Sequence, residues 1–345
     1  MEETNIVDEL LSTKNGTLCA LSSKGFCARF LFESKVRLFR ASRSSTFIRQ
    51  NEDSGSNENG VEMMQPSQIV REGSTLRFWL SGSAESPLVV FTHGAGVDHR
   101  EWRDTLDVVA KEFRVMCWDV RGHGQSQPEG SPFTLARATE ELLALLDAVG
   151  AKKAVLVGHS MGGNIVQEVI FRVPERVQAA VLLGCTSNTQ RFSRADRWLA
   201  SIVLWMMKLC PYKLLLRKSA GMFSTRPEVC AYLREAFEQV SETEFRALIP
   251  QLLKDLHEEP GYKIPVPFLL LHGANDNSGN IRKLAPKWAH AEPQCEYTVI
   301  PNAGHIANMD NPQAFNRLLL DYLHRLTALP QVPAAVQSKT TQQSS

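Results

Sequence analysis

The sequence predicts an α/β protein, a mostly parallel sheet with helices on both of its faces. Three observations lead there. From Ser67 onward, short and nearly continuous apolar runs recur, rich in Val, Leu and aromatic residues. Amphipathic stretches with helical spacing separate them. The alternation breaks only once, between Ser187 and about Glu259. Strands apolar along their whole length are buried on both faces, and helical crossovers make neighbouring strands parallel.

The runs, in order, are LRFWL, PLVVFTHG, FRVMCWDV, KAVLVGHS, QAAVLLGC, PFLLLHG and CEYTVIP. Each is short, bounded by Gly, Pro or polar residues, and enriched in side chains that suit a pleated surface. Leu135 to Val149 is a helix by its spacing, with Leu142, Leu145, Leu146 and Val149 recurring on one face. A second helical stretch follows GHSMGG directly, and a terminal helix follows the last strand. Residues 187–259 are mainly helical and rich in Trp, Met and Leu, so they predict a cap inserted over the strand ends. The predicted organisation is a disordered N-terminal tail or linker over 1–65, a main domain over 67–328, and a disordered tail over 329–345. The N-terminal segment admits three origins: a disordered tail, an organelle transit peptide, or translation from an upstream start, with Met63 and Met64 just before the first strand.

Composition narrows the classes. Apolar residues make up 43% of the chain and charged residues 22%, which fits a folded globular domain. The 38 basic side chains nearly cancel the 37 acidic ones, so no whole-chain field favours nucleic acid or an anionic membrane. The seven cysteines are scattered, without a CxxC pair, and are read as reduced thiols; no structural metal site is expected. The opening MEETNIVDEL lacks a basic stretch followed by an apolar core, so no secretory signal is predicted and a cytoplasmic location is expected, an organelle being the alternative if residues 1–62 are a transit peptide. Trp198 to Leu216 is long enough to raise the question of a membrane span, but Lys208, Pro211 and Lys213 interrupt it. It is read as apolar helices packed on the protein.

The chemistry centres on Gly158-His159-Ser160-Met161-Gly162, between the strand AVLV and a helical stretch. G-x-S-x-G in a strand-turn-helix context lifts a serine hydroxyl above the sheet, and glycines on either side let the backbones pack closely. Against this stands a chance Gly/Ser turn, which the flanking strand and helix disfavour. A serine needs a base to take its proton, and His305, after the last strand, is the candidate. The other histidines lie at strand ends, in connecting loops or in helices. The acid should follow a strand between serine and histidine. Cys185-Thr186-Ser187 offers no carboxylate after QAAVLLG, whereas Asp276 follows PFLLLHG. The alternative for Asp276 is a surface aspartate in an Asn/Asp-rich turn. Oxyanion donors are expected from the backbone N–H groups of Met161, next to the serine, and Ala95, in the Gly-rich loop after PLVVFT.

Together, HGAG at 93–96, DVRGHGQS at 119–126, GHSMGG at 158–163, HGAND at 272–276 and GHIANMDNP at 304–312 resemble the successive signatures of the α/β-hydrolase superfamily, nearest its serine esterase, enol-lactonase and cofactor-free haloperoxidase-like branch. The resemblance spans about Ser67 to Leu326. It implies an eight-stranded sheet, a helical cap after strand six, and the triad Ser160, Asp276 and His305. Serine at the elbow departs from the branches that carry aspartate there, and Asn277-Ser278-Gly279 after the acid departs from the family's usual segment. Arg121 and Asp119 are expected to brace loops beneath the site, with substrate binding as the alternative.

The expected reaction is cleavage of a carboxylic ester or lactone of a small, mostly apolar substrate through an acyl-enzyme, with no cofactor. Alternatives are acyl transfer or perhydrolysis on the same triad, and a ligand receptor on the same fold. Trp198, Trp205, Met206 and Phe223, with Met207 and Phe245, are candidate substrate contacts in the cap; for each the competing reading is ordinary core. Arg191, Arg194 and Arg197 could instead hold a substrate carboxylate, or form a solvated helix face. The partner is a small molecule, with neither nucleic acid nor an integral membrane span, and the protein is expected as a monomer or homodimer.

Overall fold

The computed structural model describes residues 49–50, 64–191 and 193–328. Arg49–Gln50 (β1) pairs antiparallel with Gln65–Arg71 (β2), which turns back into Ser74–Ser81 (β3) through Glu72 and Gly73, both at positive φ. Leu88–Thr92 (β4) and Arg114–Trp118 (β5) follow, separated by a short helical turn and the helix Arg103–Val109 (α1). Then come Leu135–Ala148 (α2), Ala154–His159 (β6), Met161–Arg172 (α3) and Val177–Leu183 (β7). After the cap the chain resumes with Phe268–Gly273 (β8), reaching Cys295–Ile300 (β9) and a C-terminal helix, Pro312–Ala328.

The strands lie in the order β1-β2-β3-β5-β4-β6-β7-β8-β9. From β5 to β9 every neighbouring pair is parallel, while β1, β2 and β3 form an antiparallel edge. Counted from Gln65 the sheet has the eight strands the family resemblance implied, and the cap follows the sixth. The seven expected runs all became strands. Gln65–Arg71 was not among them, because QPSQIVR alternates buried and open positions at an edge and lacks a continuous apolar stretch.

Helices cover both faces. On one side Leu142, Leu146, Ile165, Val169 and Phe268 pack together; on the other, Val89, Phe91, Val157, Trp102 and Phe315. Alternate residues of each central strand feed the two cores, and this is why those strands read as apolar throughout.

The cap is four helices: Arg194–Leu209 (α4), Tyr212–Phe223 (α5), Pro227–Glu238 (α6) and Glu242–Asp255 (α7). Ser193 with Asp196, and Ser241 with Glu244, form capping boxes that start α4 and α7 by satisfying first-turn N–H groups. The cap has its own small core around Leu216, Leu233, Phe237 and Phe245, continuous with Val97 and Ile306 of the main domain. The tails expected at 1–65 and 329–345 lie outside the described residues, apart from Arg49, Gln50, Met64 and Gln65. Among the described residues no helix is long and apolar enough to cross a membrane.

Candidate active site

Ser160 stands between the end of β6 and the start of α3 at φ 50° and ψ −116°. That conformation costs a non-glycine residue on the order of 1–3 kcal/mol and is held by the packing around it. Side chains at positions 158 and 162 would prevent that packing. A Cβ at Gly158 would strike the carbonyl of Gly162, and one at Gly162 would strike the carbonyl of Thr92 at the end of β4. With both glycines in place, the serine turn presses directly onto β4.

His305 follows β9 and Asp276 follows β8, so the sheet brings together residues 29 and 145 positions apart in the chain. His305 Nδ1 lies 3.0 Å from Asp276 Oδ2, and its Nε2 lies 3.0 Å from Ser160 Oγ. An ionised carboxylate only accepts, so Nδ1 carries the proton and Nε2 is left to accept from the serine hydroxyl. Asp276 also accepts from the Ser278 N–H at 2.8 Å, so the atypical Asn-Ser-Gly segment closes a turn that orients the carboxylate. Burial alone would raise this carboxyl, but the hydrogen bond and charge of His305 outweigh it and hold Asp276 below the usual range. Asp276 and His305 are buried, while Ser160 retains partial access to solvent.

The residues expected to supply N–H groups to an oxyanion are Met161 and Ala95. Met161 is the first residue of α3, where N–H groups lack intrahelical partners. Ala95 lies in the loop after β4, beside Gly94, whose α-carbon faces His159 and Ser160.

Beneath these groups lies a buried pair with no sequence signal of its own. Glu101 Oε1 is 2.7 Å from His159 Nδ1, a charge contact without the alignment of a straight hydrogen bond. His159 Nε2 faces the carbonyl of His305 at 3.1 Å. Both ring nitrogens therefore meet acceptors, which favours the doubly protonated imidazolium. Burial opposes that charge, yet the Glu101 carboxylate prevails and raises the His159 pKa above its ordinary value. The other oxygen of Glu101 accepts from the Gly94 N–H at 2.9 Å, and its backbone carbonyl accepts from Asn308 at 3.0 Å. One glutamate thus ties the loop of Ala95, the serine turn and the loop of His305.

Other histidines near strand ends and loops are engaged away from Ser160. His93 Nε2 accepts from the Val120 N–H at 2.9 Å, and His272 bonds the Gly273 carbonyl and the Tyr297 hydroxyl. His123 is buried, and desolvation pushes it down to about 4. Asp119 accepts from the N–H groups of His99 and Gln125. Arg121, fully buried, pairs with Glu141 and donates to the carbonyls of Arg71, Glu129 and Ser131. Both brace loops, as expected.

The cap candidates divide. Phe223 ends α5 with its ring 4.8 Å from the His305 ring and tilted 52° to it, and its carbonyl accepts the His305 N–H at 2.8 Å. Phe245 and Phe237, the latter not singled out from the sequence, press on Gly96 and on each other at 5.2 Å. Asp310 fastens this cap edge to the histidine loop, accepting from the Ser224 hydroxyl at 2.5 Å and the Gly304 N–H at 2.6 Å. Trp198, Trp205 and Met206 are not brought to Ser160. They lie on the outward face of α4, which turns Met207 toward the cap core instead. Arg191 and Arg197 face Glu258 at 3.8 and 3.0 Å. Among the described residues no group of His, Cys, Asp and Glu side chains is arranged to hold a metal ion.

The model of the alpha/beta hydrolase family matches residues 89–318. The chain is 25% identical over 257 residues to 3-oxoadipate enol-lactonase 2 of Acinetobacter baylyi, which covers 72% of this chain and 92% of that protein. It is 30% identical over 260 residues to the dihydrolipoyllysine-residue acetyltransferase component of an acetoin cleaving system in Cupriavidus necator, spanning 70% of this chain and 64% of that protein. In fold it is similar to the enol-lactonase from Burkholderia xenovorans LB400, with a TM-score of 0.65 and 24% identity, covering 74% of this chain and 99% of that one.

Proposed function

The chain belongs to the alpha/beta hydrolase family, and from that premise we propose that it is a serine hydrolase cleaving a carboxylic ester or lactone of a small, mostly apolar substrate. The observation that carries this reading is the relay from Asp276 through His305 to Ser160, two hydrogen bonds of 3.0 Å each on an otherwise buried arrangement.

In this mechanism Ser160 Oγ attacks the ester carbonyl carbon while His305 Nε2 takes the hydroxyl proton. The negative charge that develops on the carbonyl oxygen is met by the N–H groups of Met161 and Ala95, with the amino end of α3 adding favourable potential. The tetrahedral intermediate collapses, the C–O bond breaks, and His305 returns its proton to the departing alcohol. Water then attacks the acyl-serine with His305 again as base, releasing the acid and restoring Ser160. Asp276 holds the imidazole in the required tautomer and offsets the imidazolium charge. Phe223, Phe237 and Phe245 would shelter the acyl or alkyl group. A lactone follows the same steps, with acid and alcohol leaving as one molecule.

The test is a chain-length series of aryl esters and lactones with the native protein and with Ser160→Ala. Turnover in the variant should fall on the order of 10⁶-fold, and a fluorophosphonate probe should label the native serine alone. Undiminished turnover in Ser160→Ala would overturn the mechanism.

A further inference from the structure

The outward face of α4 is unlike the rest of the surface formed by the described residues. Trp198 is 68% exposed, Trp205 62%, Met206 60% and Leu209 64%. At helical spacing these four lie on one side of a 16-residue helix. Four large apolar side chains together are more than the scattered exposure normal for a monomer. The helix is anchored at both ends, so its outward face belongs to its seating on the protein. Arg197 in its first turn pairs with Glu258 beyond α7 at 3.0 Å, and Arg246 of α7 donates to the carbonyls of Met207 and Cys210 at its end, at 2.5 and 2.9 Å.

Charge identifies what this face suits. From Arg197 through Pro227 the sequence carries six cations and no acid, in a chain whose net charge is only +1. Arg197 and Arg226 pair with Glu258 and Glu228, so Lys208, Lys213, Arg217 and Lys218 are the cations that serve this face. Lys208 borders the Trp face on α4, and Lys213, Arg217 and Lys218 are exposed on the next helix, α5. A helix with Trp and Leu on one face and cations at its border rests in the plane of a lipid headgroup layer, its aromatic rings at the boundary. It does not need to span the bilayer.

We propose that α4 and the exposed side of α5 form a docking face for an anionic phospholipid surface. The apolar side chains of α4 enter the headgroup boundary, and the cations of α4 and α5 meet lipid phosphates and carboxylates. Because α5 ends in Phe223, packed against His305, docking would place the cap's edge, and the serine beneath it, close to molecules dissolved in the bilayer. The docking itself does not depend on the serine chemistry and is read without turnover.

The experiment uses the full chain with sized vesicles of phosphatidylcholine alone and of phosphatidylcholine with one quarter phosphatidylserine, at low and high salt. The expected result is co-flotation with the anionic vesicles, weakened by salt, with a blue shift of Trp emission that brominated lipid quenches. Reversing three cations, as Lys208→Glu, Lys213→Glu and Arg217→Glu together, should lower the apparent affinity at least about 30-fold. Leu209→Asp should lower it separately, with circular dichroism showing both variants folded. Several outcomes would overturn the proposal: no flotation, equal binding to neutral vesicles, or anionic binding that the variants retain. So would Trp emission already inaccessible to iodide in the free protein, which means another part of the chain covers the face. Sedimentation showing a dimer that Leu209→Asp dissolves would instead make the occupant a second copy.

Discussion

Glu101 reaches three segments of the site through one side chain and its own carbonyl, and its pairing with His159 is buried on all sides. Removing one partner of a buried pair leaves the other charge uncompensated, at a cost of about 3 kcal/mol or more. Glu101→Gln should therefore destabilise the fold and slacken the loop of Ala95, visible as a lower kcat with KM little changed. The pairing also has a pH signature. The folded pKa of His159 is raised, so its contribution is complete below the ordinary value of 6.5 and is lost as pH rises through the folded value. Urea unfolding across neutral to alkaline pH should show that loss in the native protein and a flatter profile in Glu101→Gln; matching profiles would refute the assignment. Asp276 has the opposite sign. Its folded pKa is lowered, so its contribution is present above the ordinary 3.8 and disappears as pH falls through the folded value. Asp276→Asn should remove that acid limb and, by favouring the wrong imidazole tautomer, reduce kcat by about 10⁴-fold.

At the scale of elements, the cap and the serine turn were legible to different degrees. Strand, tight turn and helix around Ser160 are contiguous in the chain, so the local pattern was enough to place the elbow. The extent of the cap was legible as an interruption in the strand rhythm. Which of its faces looks inward was not, because α4 is apolar on both: Met207 packs inward while Trp198 and Trp205 look out. Helical periodicity cannot choose between two apolar faces, and the inward position it suggests for Trp198 and Trp205 is the one the fold gives to Met207. The residues over the site are Phe223, Phe237 and Phe245, from three different helices. Phe245 presses on Gly96 at the loop that carries Ala95, so Phe245→Ala should open space there. The ratio of kcat/KM for long against short acyl esters should rise by about 10-fold, and an unchanged ratio would place the acyl group elsewhere.

Across the whole molecule, the described cores on both faces of the sheet and in the cap are formed by residues from Ile69 to Leu323. We expect a chain beginning at Met63 to unfold cooperatively with a midpoint within about 2 °C of the full chain, since among the described residues the truncation removes the β1 pairing alone. A larger drop would mean that the N-terminal residues contribute to the core. The sequence by itself determined the α/β class, seven of the strands, the place of the cap and the serine turn. Each is written in short-range periodicity, or in side chains a few residues apart. The sequence also names Asp276 and His305 as the partners of Ser160; tertiary structure alone supplied the 3.0 Å contacts between them, the place of Glu101 beneath them, and the outward turn of the α4 tryptophans. Those outcomes depend on which strand ends become neighbours and which helix face meets a core. Both are set by contacts between distant segments, which local spacing does not encode.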